Sequence, residues 1–119
     1  MRPDIVLLDM HWPQRALLRA QLIEDGYEVI ATDDWATVKS YVEPLQKPRL
    51  VIVDLQDLPD VDAILDELHA HMKPDRVLIL TALWTKSTAE IQTRGFQALA
   101  RPASVKDVVR RAGELLKKG

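Results

Sequence analysis

Four polar residues stand where apolar runs of the sequence end, and their side chains are of kinds that bind ligands. Apolar runs of this length, bounded by turn signals, predict strands buried on both faces. An open α/β sheet binds its ligands at the carboxyl ends of such strands. Two acids, a hydroxyl and a cation at one edge exceed what helix capping requires, so they predict a present or former functional site. The four residues are Asp9, Asp54, Thr81 and Arg101.

Asp54 by itself also has an ordinary structural interpretation. It follows the run Leu50–Val53, and a turn containing Pro59 comes shortly after it. Aspartate is common in turns and at the first position of helices, so Asp54 alone does not separate a turn residue from a functional one. The other three strand-end residues favour the functional interpretation.

Strands and helices that would position these residues alternate along the chain. Helical spacing of apolar residues fills each interval between the predicted strands, and a stripe of apolar residues follows the capping pair Ser104 and Asp107. Five β-α repeats with short connections predict one α/β domain over residues 1–119, with a parallel sheet and helices on both faces. The predicted strands are Ile5–Leu8, Tyr27–Ala31, Leu50–Val53, Arg76–Thr81 and Phe96–Ala100.

The composition excludes several classes of function. The 119 residues include no cysteine, which removes disulfides, thiol nucleophiles and thiolate metal sites. The net charge is −2, so neither nucleic acid nor an anionic membrane is an expected partner. A strand follows the first few residues directly, and no apolar run approaches the roughly 20 residues that span a bilayer. We therefore expect a cytoplasmic protein.

Over essentially its whole length, the chain resembles the receiver domain of two-component response regulators. The segment Asp54–Pro59, with Asp62 beyond it, is similar to the segment around that family's phospho-accepting aspartate. Leu80–Ala82 is similar to the family's fourth strand and its switch hydroxyl. The other matching residues are Arg15, Leu17, Leu18 and the segment Gly26–Val29.

This resemblance implies a flavodoxin-like sheet with strand order 2-1-3-4-5 and a role for each matching residue. Asp54 would be the phosphoacceptor, attacking a phosphoryl group as a carboxylate. Thr81 would hydrogen-bond the phosphoryl oxygen and couple the modification to the surface formed by the fourth helix, fifth strand and fifth helix. Asp9, Asp54 and the backbone carbonyl of Gln56 would hold Mg²⁺.

Three residues depart from the family's pattern. Met10 stands where a second acid normally binds Mg²⁺, and a thioether is a poor ligand for a hard cation. Mg²⁺ binding is therefore expected to be weak or absent. Arg101, before Pro102, replaces a lysine, and its guanidinium is suited to pair with Asp54 or Asp9. Ala98 replaces the aromatic switch residue, so Thr81 has no aromatic partner.

These departures favour an atypical receiver that signals through protein contacts, with phosphorylation of Asp54 weakened or lost. The alternative is a conventional Mg²⁺-dependent phosphoacceptor receiver, and a remote alternative is a flavodoxin-like domain that binds a small molecule. The expected partners are a histidine kinase or another signalling protein, and a homodimer is left open. No enzymatic turnover is expected.

Residues near the pocket and on the implied partner surface allow more than one interpretation. His11 and Trp12 follow the first strand, either as an exposed pair in a loop or as an aromatic lid. Trp84 and Ala98 belong to the implied partner surface. An exposed Trp84 would suit an interface anchor, and a buried Trp84 would be part of the core.

Overall fold

The computed structural model describes residues 2–82 and 84–117. The strands are β1 (Ile5–Leu8), β2 (Val29–Thr32), β3 (Leu50–Asp54), β4 (Val77–Leu80) and β5 (Gln97–Leu99). The helices are α1 (Trp12–Glu24), α2 (Trp35–Val42), α3 (Val61–His71), α4 (Thr88–Thr93) and α5 (Val105–Lys117), with a 3₁₀ turn at Pro74–Arg76. In this part of the chain, no helix has both the length and the apolar character needed to cross a membrane.

The strands form one parallel sheet in the order β2-β1-β3-β4-β5. The predicted parallel sheet and the implied strand order are therefore both confirmed. β3 lies at the centre, beside β1 on one side and β4 on the other. β2 is an edge strand, and it is less deeply buried than β1 and β3.

Helices cover both faces of the sheet, which is why its central strands are continuously apolar. In β1, Ile5 and Leu7 belong to the apolar cluster under α1 and α5, whereas Val6 and Leu8 belong to the cluster under α2, α3 and α4. Side chains of a strand alternate between its two faces, so a strand that is covered on both sides needs an apolar residue at every position.

The boundaries of four predicted strands differ from the structure, and hydrogen bonds of the preceding turn account for two of the differences. The third strand extends one residue further than predicted, to Asp54. Tyr27 was predicted to begin the second strand, but its N–H donates to the carbonyl of Leu22 at the end of α1 at 3.2 Å. Arg76 was predicted to begin the fourth strand, but its N–H donates to Lys73 within the 3₁₀ turn at 2.9 Å. The fifth strand is limited to Gln97–Leu99, two residues shorter than predicted.

The capping pair predicted for the last helix is confirmed. The N–H of Asp107 donates to the hydroxyl of Ser104 at 3.1 Å, and the N–H of Ser104 donates to the carboxylate of Asp107 at 3.1 Å. Each residue thus satisfies a backbone donor of the other at the start of α5, which fixes where the helix begins.

Candidate functional site

Asp9 and Asp54 lie side by side at the carboxyl edge of the sheet. β1 and β3 are neighbours in register, with Leu8 beside Val53, so the acid that follows each of these residues reaches the same level. Both acidic side chains are 0% exposed. Buried carboxylates are costly unless they are paired or hydrogen-bonded, so the groups that contact these two decide what the site can do.

Each acid also shapes the loop that follows it. Oδ1 of Asp9 accepts a hydrogen bond from the N–H of His11 at 2.8 Å, and Oδ1 of Asp54 accepts one from the N–H of Gln56 at 2.9 Å. Such bonds from an aspartate to the backbone two residues further on stabilise turns. The interpretation of Asp54 as a turn residue is thus confirmed for one of its oxygens, and the other oxygen contacts distant parts of the chain.

Gln14 joins the two acids. Its side-chain Nε2 donates to Oδ2 of Asp9 and to Oδ2 of Asp54, both at 2.7 Å. Gln14 lies in the first turn of α1, directly after Pro13, and Arg15 beside it donates from its guanidinium to the carbonyl of Asp9 at 2.9 Å. Both contacts bring the start of α1 against the end of β1. Gln14 was not predicted as a site residue, because polar residues are common in the first turn of a helix.

Arg101 is the positive charge of the site. Its guanidinium contacts Oδ2 of Asp54 through Nη2, and the same nitrogen lies 3.3 Å from Oε1 of Gln14. The side chain of Arg101 is 18% exposed. The sequence allowed Arg101 to pair with either acid, and the structure pairs it with Asp54. Oδ2 of Asp54 therefore has both a guanidinium and an amide as partners.

Thr81 and Met10 lie on either side of this arrangement. Thr81 follows β4 and is 6% exposed, and its N–H donates to the carbonyl of Leu99 at 3.1 Å. Because Asp54 lies beside Leu80 in the sheet, Thr81 and Asp54 share one edge. Met10 is half-buried and packs against the apolar cluster under α2, α3 and α4. The thioether is therefore part of the core packing next to the site.

The groups at this edge do not fit Mg²⁺ in the arrangement that the structure gives them. Mg²⁺ requires oxygen ligands in nearly octahedral geometry. Oδ2 of Asp9 and Oδ2 of Asp54 are already bound by the amide nitrogen of Gln14, and a guanidinium also contacts Asp54. Within residues 2–82 and 84–117, no group of three or more acidic, histidine or cysteine side chains is arranged to hold a metal.

Two loops meet at the mouth of the site. Nε2 of His11, after β1, lies 2.7 Å from Oδ2 of Asp57, after β3. Asp57 has a φ of 59°, a left-handed conformation that aspartate tolerates better than most residues. Trp12 is 69% exposed, in agreement with the exposed interpretation, but it begins α1 and is not part of the loop.

Trp84 and Ala98, both predicted for the partner surface, have opposite environments. Trp84 is 95% exposed and lines an open cleft of about 490 Å³ with Arg101 and Pro102, so its side chain is available to a partner. Ala98 is 6% exposed and belongs to the apolar cluster under α2, α3 and α4. The alternation of β5 turns this residue towards the core, so its side chain is not exposed to a partner in this arrangement.

Asp62 joins α3 to the segment around α4. Oδ1 of Asp62 is 2.8 Å from Nζ of Lys86 and 2.8 Å from Nη2 of Arg94. The hydrogen bond from Lys86, with the charges of Lys86 and Arg94, lowers the pKa of Asp62 below its ordinary 3.8. The carboxylate is exposed, so this ion pair contributes little stability, but it links α3 to the α4 side of the implied partner surface.

Comparisons with known proteins show a similar fold at low sequence identity. No protein-family model and no curated protein matches the chain. The receiver domain of the Francisella response regulator 1452 superposes with a TM-score of 0.81 at 18% identity, with 98% of each chain covered. An adenylate cyclase from Rhodopirellula baltica gives a TM-score of 0.80 at 18% identity, with 99% of this chain and 90% of that chain covered. A response regulator receiver domain from Clostridium thermocellum gives 0.79 at 19% identity, with 96% and 94% covered. The chain therefore has the fold of response regulator receiver domains.

Proposed function

We propose that this chain is a receiver-type signalling module of the two-component kind that acts in the cytoplasm through contacts with a histidine kinase or another signalling protein. In this proposal it turns over no substrate, and phosphorylation of Asp54 is weak or lost. The fold and the location of Asp54 at the end of the central strand support the receiver part. The contacts of Asp54 support the weakened or lost phosphorylation.

The observation that carries the proposal is the engagement of Oδ2 of Asp54. A carboxylate that attacks a phosphoryl group needs a free lone pair and space for the incoming group. Oδ1 of Asp54 accepts the N–H of Gln56, and Oδ2 accepts Gln14 and contacts Arg101. A phosphoryl donor that reacts with Oδ2 would have to displace a buried ion pair and a hydrogen bond before reaction.

The exposed indole of Trp84 supports a role in protein contacts. Aromatic side chains of this size are frequent anchors of interfaces, because they bury a large area with few rotatable bonds. The side chain of Trp84 is 95% exposed and stands beside the cleft that Arg101 lines. A partner that covers Trp84 would therefore lie next to the Asp54 site.

A conventional phosphoacceptor receiver is the second candidate, and the location of Thr81 favours it. Thr81 is buried at the same edge as Asp54, where a hydroxyl is suited to bind a phosphoryl oxygen. Arg101 also binds phosphate well once it leaves Asp54. The two candidates differ in whether Arg101 leaves Asp54 under phosphorylating conditions.

Incubation with acetyl phosphate and Mg²⁺, followed by intact-mass measurement, separates the two candidates. We expect no phosphoryl adduct on the wild-type protein at millimolar Mg²⁺, and we expect the double variant Met10→Asp, Arg101→Lys to gain one. Asp54→Asn in the double variant is the matched control, because it removes the acceptor. A wild-type adduct that Asp54→Asn abolishes would overturn the atypical assignment in favour of the conventional one.

A further inference from the structure

Gln14 occupies the midpoint of the acidic pair. Its Nε2 is 2.7 Å from one oxygen of each acid, and its Oε1 is 3.3 Å from Nη2 of Arg101. The two amide protons thus go to Asp9 and Asp54, and the amide oxygen accepts from the guanidinium. The reverse orientation would set the amide oxygen against two carboxylates, so the electrostatics of the site select the observed one.

The surrounding residues hold the amide at this midpoint. Pro13 precedes Gln14 in the first turn of α1, and Arg15 after it binds the carbonyl of Asp9 at 2.9 Å. The cavity that Gln14 and Arg101 line measures about 10 Å³, which is roughly the space of one water. An amide group does not fit into it. This cavity therefore offers the amide of Gln14 no alternative position away from the acids.

We propose that Gln14 is the residue that excludes divalent cations from the pair Asp9 and Asp54. The amide supplies two donors at the point where a cation would bridge the two carboxylates, and it relieves their repulsion without a positive charge of its own. A cation would have to break both 2.7 Å hydrogen bonds, and the side chain of Gln14 would have to take another position. This inference rests on the proposed function, because it names the residue that keeps the site free of metal.

The proposal gives Met10 a smaller part in excluding cations than its departure from the family's pattern suggested. Met10 packs against the core cluster, so replacing it by an acid adds a ligand at the border of the site. That replacement leaves the amide of Gln14 between Asp9 and Asp54. We therefore expect Met10→Asp alone to bind a cation less tightly than Met10→Asp combined with Gln14→Ala.

The test measures Mn²⁺ binding to the full chain by electron paramagnetic resonance. We expect Gln14→Ala to bind Mn²⁺ about tenfold or more tightly than wild type, the scale on which neighbours of metal ligands act. Gln21→Ala is the matched control, since Gln21 lies exposed on the same helix, and its affinity should equal that of wild type. Adding Asp54→Asn to Gln14→Ala should abolish the gain, which locates the ion at the acidic pair.

Two further comparisons complete the test. Gln14→Asn has a shorter side chain that no longer reaches both acids, so it should give the same gain in affinity. It serves as the test variant if Gln14→Ala does not fold. A folded Gln14 variant with wild-type Mn²⁺ affinity would overturn the inference. The inference would also be overturned if Met10→Asp alone bound Mn²⁺ as tightly as Met10→Asp combined with Gln14→Ala. An acetyl phosphate adduct on the wild-type protein would instead contradict the proposed function, so the two failures are distinguishable.

Discussion

Arg101→Met should destabilise the protein strongly, because it removes the cation from a buried carboxylate. Asp54 is 0% exposed, and the guanidinium of Arg101 contacts its Oδ2. Methionine keeps much of the length and the apolar stem of arginine without its charge. The variant therefore tests the ion pair and changes the packing little.

The size of the effect follows from how deeply the pair is buried. Breaking a fully buried ion pair costs about 3–5 kcal/mol. The side chain of Arg101 is 18% exposed, and Asp54 keeps its hydrogen bonds from Gln14 and Gln56, so we expect the lower end, about 3 kcal/mol. For 119 residues this corresponds to a Tm lowered by roughly 12 °C.

Urea unfolding followed by circular dichroism measures the loss. With a slope of about 1.5 kcal/mol per molar, the midpoint should fall by roughly 2 M, at an unchanged slope. Arg110→Met is the matched control: Arg110 lies on α5 and is 64% exposed in its pair with Asp107, so its loss should change stability by less than about 0.5 kcal/mol.

A double variant identifies the source of the instability. If the cost comes from an unpaired buried charge, Asp54→Asn added to Arg101→Met should restore part of the lost stability. The reasoning is refuted if Arg101→Met loses no more than Arg110→Met. It is also refuted if the double variant is as unstable as Arg101→Met alone, since that result would assign the effect to packing.

Two further predictions concern the helices. The indole N–H of Trp35 donates to Glu67 at 2.7 Å and, with Lys39, lowers the pKa of the Glu67 carboxyl below 4.5. The stability that these contacts give to the charged carboxylate is therefore present above pH 4.5, and it is lost as the pH falls through the lowered pKa. The Trp35 indole resonance in NMR should therefore titrate with a midpoint below 4.5, and Glu67→Gln should remove the titration. Ser104→Ala should lower the free energy of unfolding by about 1 kcal/mol in urea unfolding, because it removes a helix cap.

A specific result would contradict each of these two predictions. An indole midpoint at or above 4.5 would show that the hydrogen bond from Trp35 does not favour the charged form of Glu67. An unchanged urea midpoint for Ser104→Ala would show that the reciprocal bonds between Ser104 and Asp107 contribute no net stability to α5.

The fold was predictable from the sequence because its signals are local and repeated. Each buried strand is a continuous apolar run, each helix carries an apolar stripe, and turn residues separate them. The boundaries were less accurate, since the strand that begins at Val29 is preceded by Tyr27, whose N–H still bonds to Leu22 of the helix before it. Such a bond depends on how tightly the chain turns, which the apolar pattern does not encode.

The site was predictable in part. Its strand-end acids were identifiable because parallel strands deliver their ends to one edge. Gln14 was not identifiable, because its function depends on contact with Asp54, 40 residues away in the chain. The choice of Arg101 between the two acids was equally open, because it depends on the path of the chain after β5. Contacts between side chains of distant elements follow from the tertiary structure and not from local pattern.

The exposure of two of the three tryptophans has a consequence for spectroscopy. Trp12 and Trp84 are 69% and 95% exposed, so water already surrounds most of the indole surface that contributes to the emission of the folded protein. Intrinsic fluorescence will therefore be a weak signal of unfolding and a sensitive signal of binding. Trp12 begins the helix that carries Gln14, so its quenching by an added paramagnetic ion reports on the mouth of the acidic site, and quenching of Trp84 reports on a partner that covers the adjacent cleft.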